Sequence, residues 1–259
     1  MKKVIDILRY VRQIVFTIYS LVVFVVLMML LVQPVIALCF IFGKTTEKKR
    51  LNYHRSIQKM AIIAQRMLPG VRFHLHNPEG ETFDKPSLII ANHQSHFDLL
   101  CIMMLAPKIV IMTNDWVWRN PLYGLLIRYA EYYPASNGLE QNLDRLRSLV
   151  DRGYSVMIFP EGTRSADLEL HRFHKGAFFI AEKLHLDVVP ISIHGAGIVL
   201  NKKAWLMNSG DINIEVFKRV DADDASFGSD YHARTKAFRA FIATKYACQR
   251  QRYEKGGQR

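Results

Sequence analysis

Ser87-Leu88-Ile89-Ile90-Ala91-Asn92-His93-Gln94-Ser95-His96-Phe97-Asp98 passes from an uncharged apolar run into a polar turn within twelve residues. The first five predict a buried strand, and helical spacing from Phe97 to Leu105 predicts that a helix follows. Asn92–His96 is then a strand-to-helix turn, the place where α/β folds expose functional groups. Working outward, further strands are expected at Val71–His74, Ile109–Met112, Ser155–Phe159, Val188–Ile193 and Ile212–Phe217. Helices are expected at Pro121–Tyr129, Asn142–Asp151 and Lys175–Leu184. That alternation predicts an α/β fold over residues 71–230, a mixed sheet covered by helices.

On the turn, His93 and Asp98 are the pair of chemical interest. A histidine is partly neutral near pH 7 and takes a proton, while a nearby carboxylate fixes its tautomer and stabilises the imidazolium. On one straight helix the two would point apart, so they meet only if His93 precedes the helix and Asp98 sits in its first turn. A purely structural alternative stands beside this one: Ser95-x-x-Asp98 reads as a capping box, with Ser95 in a cap role. A second constellation, Phe159-Pro160-Glu161-Gly162-Thr163-Arg164, also follows an expected strand. Gly162 permits close backbone approach, and Arg164 offers a planar fork that matches a phosphate. Arg172 and Lys175 add cations before another helix, whose N-terminus favours anions. The bland reading is a turn with solvated charges.

Together, N-H-x-S-x-x-D followed by F-P-E-G-T-R resembles the glycerolphosphate and lysophosphatidic acid acyltransferase family. The resemblance covers roughly Pro86–His194, with Val188-Val189-Pro190-Ile191 similar to the family's late strand motif. It implies a membrane-bound enzyme that moves an acyl chain from an acyl-CoA or acyl-carrier-protein thioester to a lysophospholipid hydroxyl. His93 is then the general base and Asp98 its partner, with Glu161, Gly162, Thr163 and Arg164, joined by Arg172 and Lys175, as substrate-binding residues. Neither metal nor cofactor is implied. No cysteine or serine elbow suited to an acyl-enzyme is present, which favours direct transfer. One departure stands out: Tyr129-Ala130-Glu131-Tyr132-Tyr133-Pro134-Ala135-Ser136 lacks the arginine usual between the two motifs. Asn114-Asp115-Trp116-Val117-Trp118 in turn resembles acyltransferases of specialised lipid pathways, whose acceptor is not a glycerolphosphate. Two further readings remain open: a metallohydrolase using His93-x-x-His96 and His171-x-x-His174, and a non-catalytic lipid-binding module.

The ends of the chain have a different character. Of the net charge of +12 over 259 residues, residues 1–66 carry +9 and residues 231–259 carry +7, leaving −4 between them. No helix-turn-helix, zinc finger or aromatic-basic RNA signature accompanies the charge, so nucleic acid is not an expected partner. Between Arg12 and Lys44 no charged residue occurs. That stretch exceeds both a signal peptide's apolar region and the length needed to span a bilayer. It predicts an uncleaved membrane-anchoring helix, or a helical hairpin bent at Pro34. Basic flanks on both sides suit anionic lipid at the cytoplasmic face, the inner membrane in a bacterium. An amphipathic basic helix is expected from Glu47 to the stop at Pro69-Gly70. The expected organisation is an anchor and amphipathic helix over 1–70, an α/β domain over 71–230 and a basic C-terminal helix over 231–259. Cys39, Cys101 and Cys248 are widely spaced, which argues against disulfides and fits a reducing compartment.

Overall fold

The computed structural model describes residues 2–36, 46–113, 115–119, 124–134 and 139–256. Cys39, Lys44, Asn114, Pro121, Ala135 and Ser136, which entered the readings above, lie outside them. Helix α1 (Lys2–Leu27) continues through a π turn at Met28–Val32 into α2 (Gln33–Ile36). Pro34 accounts for the wider turn: it lacks the N–H that an α-helix needs, and just before it the Gln33 N–H reaches back to the Met28 carbonyl. Through Ile36 the described residues thus form one helix with a wide turn. Helix α3 (Glu47–Met67) starts at Thr46, whose side chain accepts the Lys49 N–H at 3.4 Å. Its buried face carries Tyr53, Ile57, Met60, Ala61 and Ala64, the stripe its periodicity predicts.

The body follows as β1 (Val71–His76), β2 (Ser87–Ala91), α4 (Phe97–Met103), β3 (Ile109–Thr113), α5 (Asp115–Arg119), α6 (Gly124–Tyr129) and β4 (Tyr133–Pro134). Then come α7 (Leu139–Asp151), β5 (Ser155–Ile158), α8 (Gly176–Leu184), β6 (Asp187–His194), α9 (Ala196–Val199), β7 (Gly210–Val216) and α10 (Tyr231–Gly256). The expected strands all appear, shifted by one or two residues at their ends. The two-residue β4 and the short α5 and α9 have no sequence periodicity to announce them.

One seven-stranded sheet has the order β1-β7-β6-β2-β5-β3-β4. Every described pairing is parallel except β6 with β7, so the sheet is mixed. All five residues of β2 are buried. Leu88 and Ile90 face Phe178, Ala181, Phe238 and Ile242 of α8 and α10, while Ile89 and Ala91 join the core that includes α3 and α4. Helices on both faces explain why β2 reads as continuous rather than alternating apolar sequence. The same core takes in Tyr53, Ile57 and Met60 of α3 and Val23, Leu27 and Met28 before it. Residues of the segments expected as 1–70, 71–230 and 231–259 thus contribute to shared cores.

Between α3 and the sheet lies His54, 2% exposed, with no hydrogen-bond partner at Nε2. Burial lowers its pKa from the usual 6.5 to about 4, against the raising influence of Glu47 and the Ala130 backbone. Folded His54 is thus neutral over a range where the unfolded chain binds a proton. Stability should fall as pH drops from 6.5 towards 4, by up to about 1.4 kcal/mol per pH unit from this group. The expected outcome is a Tm that declines over this window, with the decline shallower in His54→Leu. Parallel Tm-against-pH curves for the two proteins would refute this account.

Candidate active site

Because β2 and β5 are neighbouring parallel strands, with Leu88 beside Val156 and Ile90 beside Ile158, their carboxyl ends emerge together. The two motifs, far apart in sequence, therefore face one another. The β2 turn is tied to β6 as well. Asn92 Nδ2 donates to the Ile193 carbonyl at 2.8 Å, and the Ile193 N–H donates to Asn92 Oδ1 at 2.8 Å.

His93 precedes α4 and Asp98 lies in its first turn, the one arrangement in which they meet. The His93 Nδ1 lies 2.8 Å from Asp98 Oδ2. A carboxylate accepts, so Nδ1 carries the proton and Nε2 keeps its lone pair. The imidazole stacks on Phe159 with ring centroids 4.0 Å apart and planes at 16°. Asp98 is fully buried, and its Oδ2 also accepts the N–H groups of Gln94 at 2.6 Å and Ser95 at 2.8 Å. One oxygen thus serves both the His93 contact and half of the expected capping box: the Asp98 N–H goes to the Ser95 carbonyl and not to its hydroxyl, and the helix N-cap is His96, without a side-chain cap bond. The Ser95 hydroxyl donates to the Leu200 carbonyl at 2.8 Å and accepts from the Phe97 N–H at 3.3 Å, which commits it to the backbone.

Glu161 takes a different place from the one its sequence suggests. It is 4% exposed, and its two oxygens accept the backbone N–H groups of His93 and His171, each at 2.8 Å. Burial raises its pKa, opposed by these two hydrogen bonds. It locks the His93 turn to the following loop and does not line the cleft. Gly162, Thr163 and Arg164 do line it, a cavity of about 490 Å³ that they share with His93, His96, Phe159, His174 and Lys202. Gly162 has φ +68°, a conformation that favours glycine, and a Cβ there would press on His174 Cδ2 at 3.2 Å. Burial lowers the Arg164 pKa, with Asp98 acting in the opposite direction. Partial desolvation, Arg164 and His93 lower that of His96, although its side chain reaches solvent at the rim.

Arg172 and Lys175 are exposed and outside the cleft lining, contrary to their expected substrate-binding place. The loop turns back there: the His174 N–H bonds the Pro160 carbonyl at 2.7 Å, and His174, though exposed, lines the cleft. Of the two histidine pairs, His93, His96 and His174 line this cleft and His171 turns away from it. His171 Nε2 meets Asp167 at 2.9 Å, and no group of three or more His, Cys, Asp or Glu suited to a metal forms among the described residues. Lys202 is the residue that sequence reading missed. It sits in no recognisable pattern and reaches the cleft only through folding.

Comparison with known proteins agrees with this geometry. Residues 71–194 match the family described as Acyltransferase. The chain is 29% identical over 197 residues to a chloroplastic 1-acyl-sn-glycerol-3-phosphate acyltransferase, BAT2, of Brassica napus, covering 73% of this chain and 56% of that protein. It is 26% identical over 198 residues to the human 1-acyl-sn-glycerol-3-phosphate acyltransferase beta, covering 71% of each. The chain spans about half the length of the plant relatives, 56% of one and 51% of another. The fold matches the crystal structure of the 1-acyl-sn-glycerophosphate acyltransferase PlsC of Thermotoga maritima with a TM-score of 0.80 at 22% identity, over 93% of this chain and 98% of that one. With both motifs brought onto one cleft, residues 71–194 are the part of this chain that matches the family described as Acyltransferase.

Proposed function

We propose that the protein acylates the free hydroxyl of 1-acyl-sn-glycerol 3-phosphate, with an acyl-CoA or acyl-carrier-protein thioester as donor. The observation that carries this reading is the His93–Asp98 contact at the mouth of a cleft that also holds Arg164. His93 Nε2 takes the hydroxyl proton as the oxygen attacks the thioester carbonyl, and the imidazolium formed is stabilised by Asp98. The tetrahedral intermediate collapses by breaking the C–S bond, and the leaving thiolate takes the proton from His93. One ester and one thiol result, and His93 is again neutral. Phe159 holds the ring plane throughout.

A lipid substrate calls for a membrane surface, and α1 supports one. Lys3–Ile36 is 34 residues long and apolar enough to cross a bilayer, with only 22% of its most apolar window buried. Val4, Leu8, Val11, Val15, Ile18, Val22, Met29 and Leu30 on it are exposed. We place the cleft at the cytoplasmic face, where the basic ends meet anionic lipid.

The test is an assay of the detergent-purified full chain with both donor types and with phosphorylated and neutral acceptors, products being identified by mass spectrometry. Phosphatidic acid should form, at a rate indifferent to a chelator. Acylation of a neutral acceptor in preference to the phosphorylated one would move the protein to a different lipid pathway.

A further inference from the structure

We infer that Lys202 is a second cation of the acceptor's phosphate site, completing with Arg164 and Thr163 a clamp for a phosphate monoester beside His93. The inference rests on the acyl-transfer reading above. Lys202 Nζ donates to Thr163 Oγ1 at 2.9 Å, across a gap in sequence that the fold closes. Its backbone is fixed to both motif loops. The preceding Leu200 carbonyl accepts from Ser95 Oγ at 2.8 Å, and Asn201 Nδ2 donates to the Ala166 carbonyl at 3.0 Å. Residues Leu200–Lys202 thus form a wall attached at one end to the dyad turn and at the other to the Arg164 loop.

Charge supports the same assignment. Neither Arg164 nor Lys202 forms an ion pair with a carboxylate among the described residues. Both line the cavity that His93 lines. A phosphate monoester carries close to two negative charges near neutral pH, which one guanidinium does not balance. Arg164 supplies a planar fork and Lys202 a point charge, the two complementary ways of holding a phosphate. The acceptor is the fitting source of that group. Its phosphate hangs on the carbon next to the one bearing the reacting hydroxyl, so a clamp beside His93 leaves the hydroxyl within its reach. The phosphates of coenzyme A lie a whole pantetheine arm away from the thioester.

Steady-state kinetics on the full chain test this. Lys202→Ala should raise the KM for 1-acyl-sn-glycerol 3-phosphate roughly ten-fold, with little change in kcat, as expected for losing a charge-assisted contact made equally in ground and transition states. The preference for the phosphorylated over the neutral acceptor should fall by the same factor, and Lys202→Arg should recover most of it. An unchanged acceptor KM, or a rise confined to the thioester donor, would overturn the assignment. A second readout does not depend on turnover: sn-glycerol 3-phosphate should raise the Tm of the wild-type protein above that in glycerol at matched ionic strength, and Lys202→Ala should abolish the difference. No such difference in the wild type overturns the clamp. A difference that Lys202→Ala removes, in a protein that makes no phosphatidic acid, upholds the clamp and defeats the acyl-transfer reading alone.

Discussion

Replacing His93 with alanine is expected to lower kcat by about 10²- to 10⁴-fold, the range that a general base contributes. In the proposed reaction no other group takes the hydroxyl proton: Ser95 is committed to the Leu200 carbonyl and Glu161 to two backbone N–H groups. The turn itself should survive. His93 is held through its backbone, with its N–H on Glu161 at 2.8 Å and its carbonyl accepting the Ser165 N–H at 2.8 Å, and alanine keeps both bonds. Circular dichroism should match the wild type, and the Tm should change only by what the lost Asp98 hydrogen bond and Phe159 stacking contact were worth. A well-folded His93→Ala protein with near-normal kcat would eliminate the dyad mechanism.

Asp98→Asn should show a loss of both rate and stability, because one carboxylate oxygen does two jobs. Turnover is expected to fall roughly 10²- to 10⁴-fold, since an amide neither stabilises an imidazolium nor enforces the tautomer with the proton on Nδ1. Stability should fall by about 1–3 kcal/mol, because the Gln94 and Ser95 N–H groups exchange a charged acceptor for a neutral one in a fully buried site. Kinetics measured well below the variant's Tm separate the two effects. A normal rate in a merely destabilised protein would leave Asp98 as a cap and no more.

The fold was legible where burial on both faces left a continuous apolar run, as in Leu88–Ala91 and Val188–Ile191. The dyad was legible too, since a polar turn between a strand and a helix allows His93 and Asp98 only one way to meet. What sequence concealed was direction. Glu161 looks like a ligand-facing acid, yet the backbone N–H groups of His93 and His171 draw it inward. Arg172 and Lys175 look cleft-facing because they precede a helix, but the bond from the His174 N–H to the Pro160 carbonyl presents His174 instead. Lys202 belongs to no local pattern, and its place depends on hydrogen bonds to Ser95, Ala166 and Thr163.

The position of β2 has a consequence for how the protein is made. It lies between β5 and β6, so the strand that leads into His93 leaves the ribosome well before either neighbour, the nearer beginning at Ser155. Until then both of its hydrogen-bonding edges have no native partner. Parallel pairing across such separations is slow, because the intervening chain must close before any contact rewards it. Nascent chains that stop short of β5 would carry the apolar α1 and His93 with α3 and α4 able to cover one face of the strand between them, while α8 and α10, which cover the other, are still to be made. Such chains should depend on a chaperone, or be degraded, more than finished molecules do.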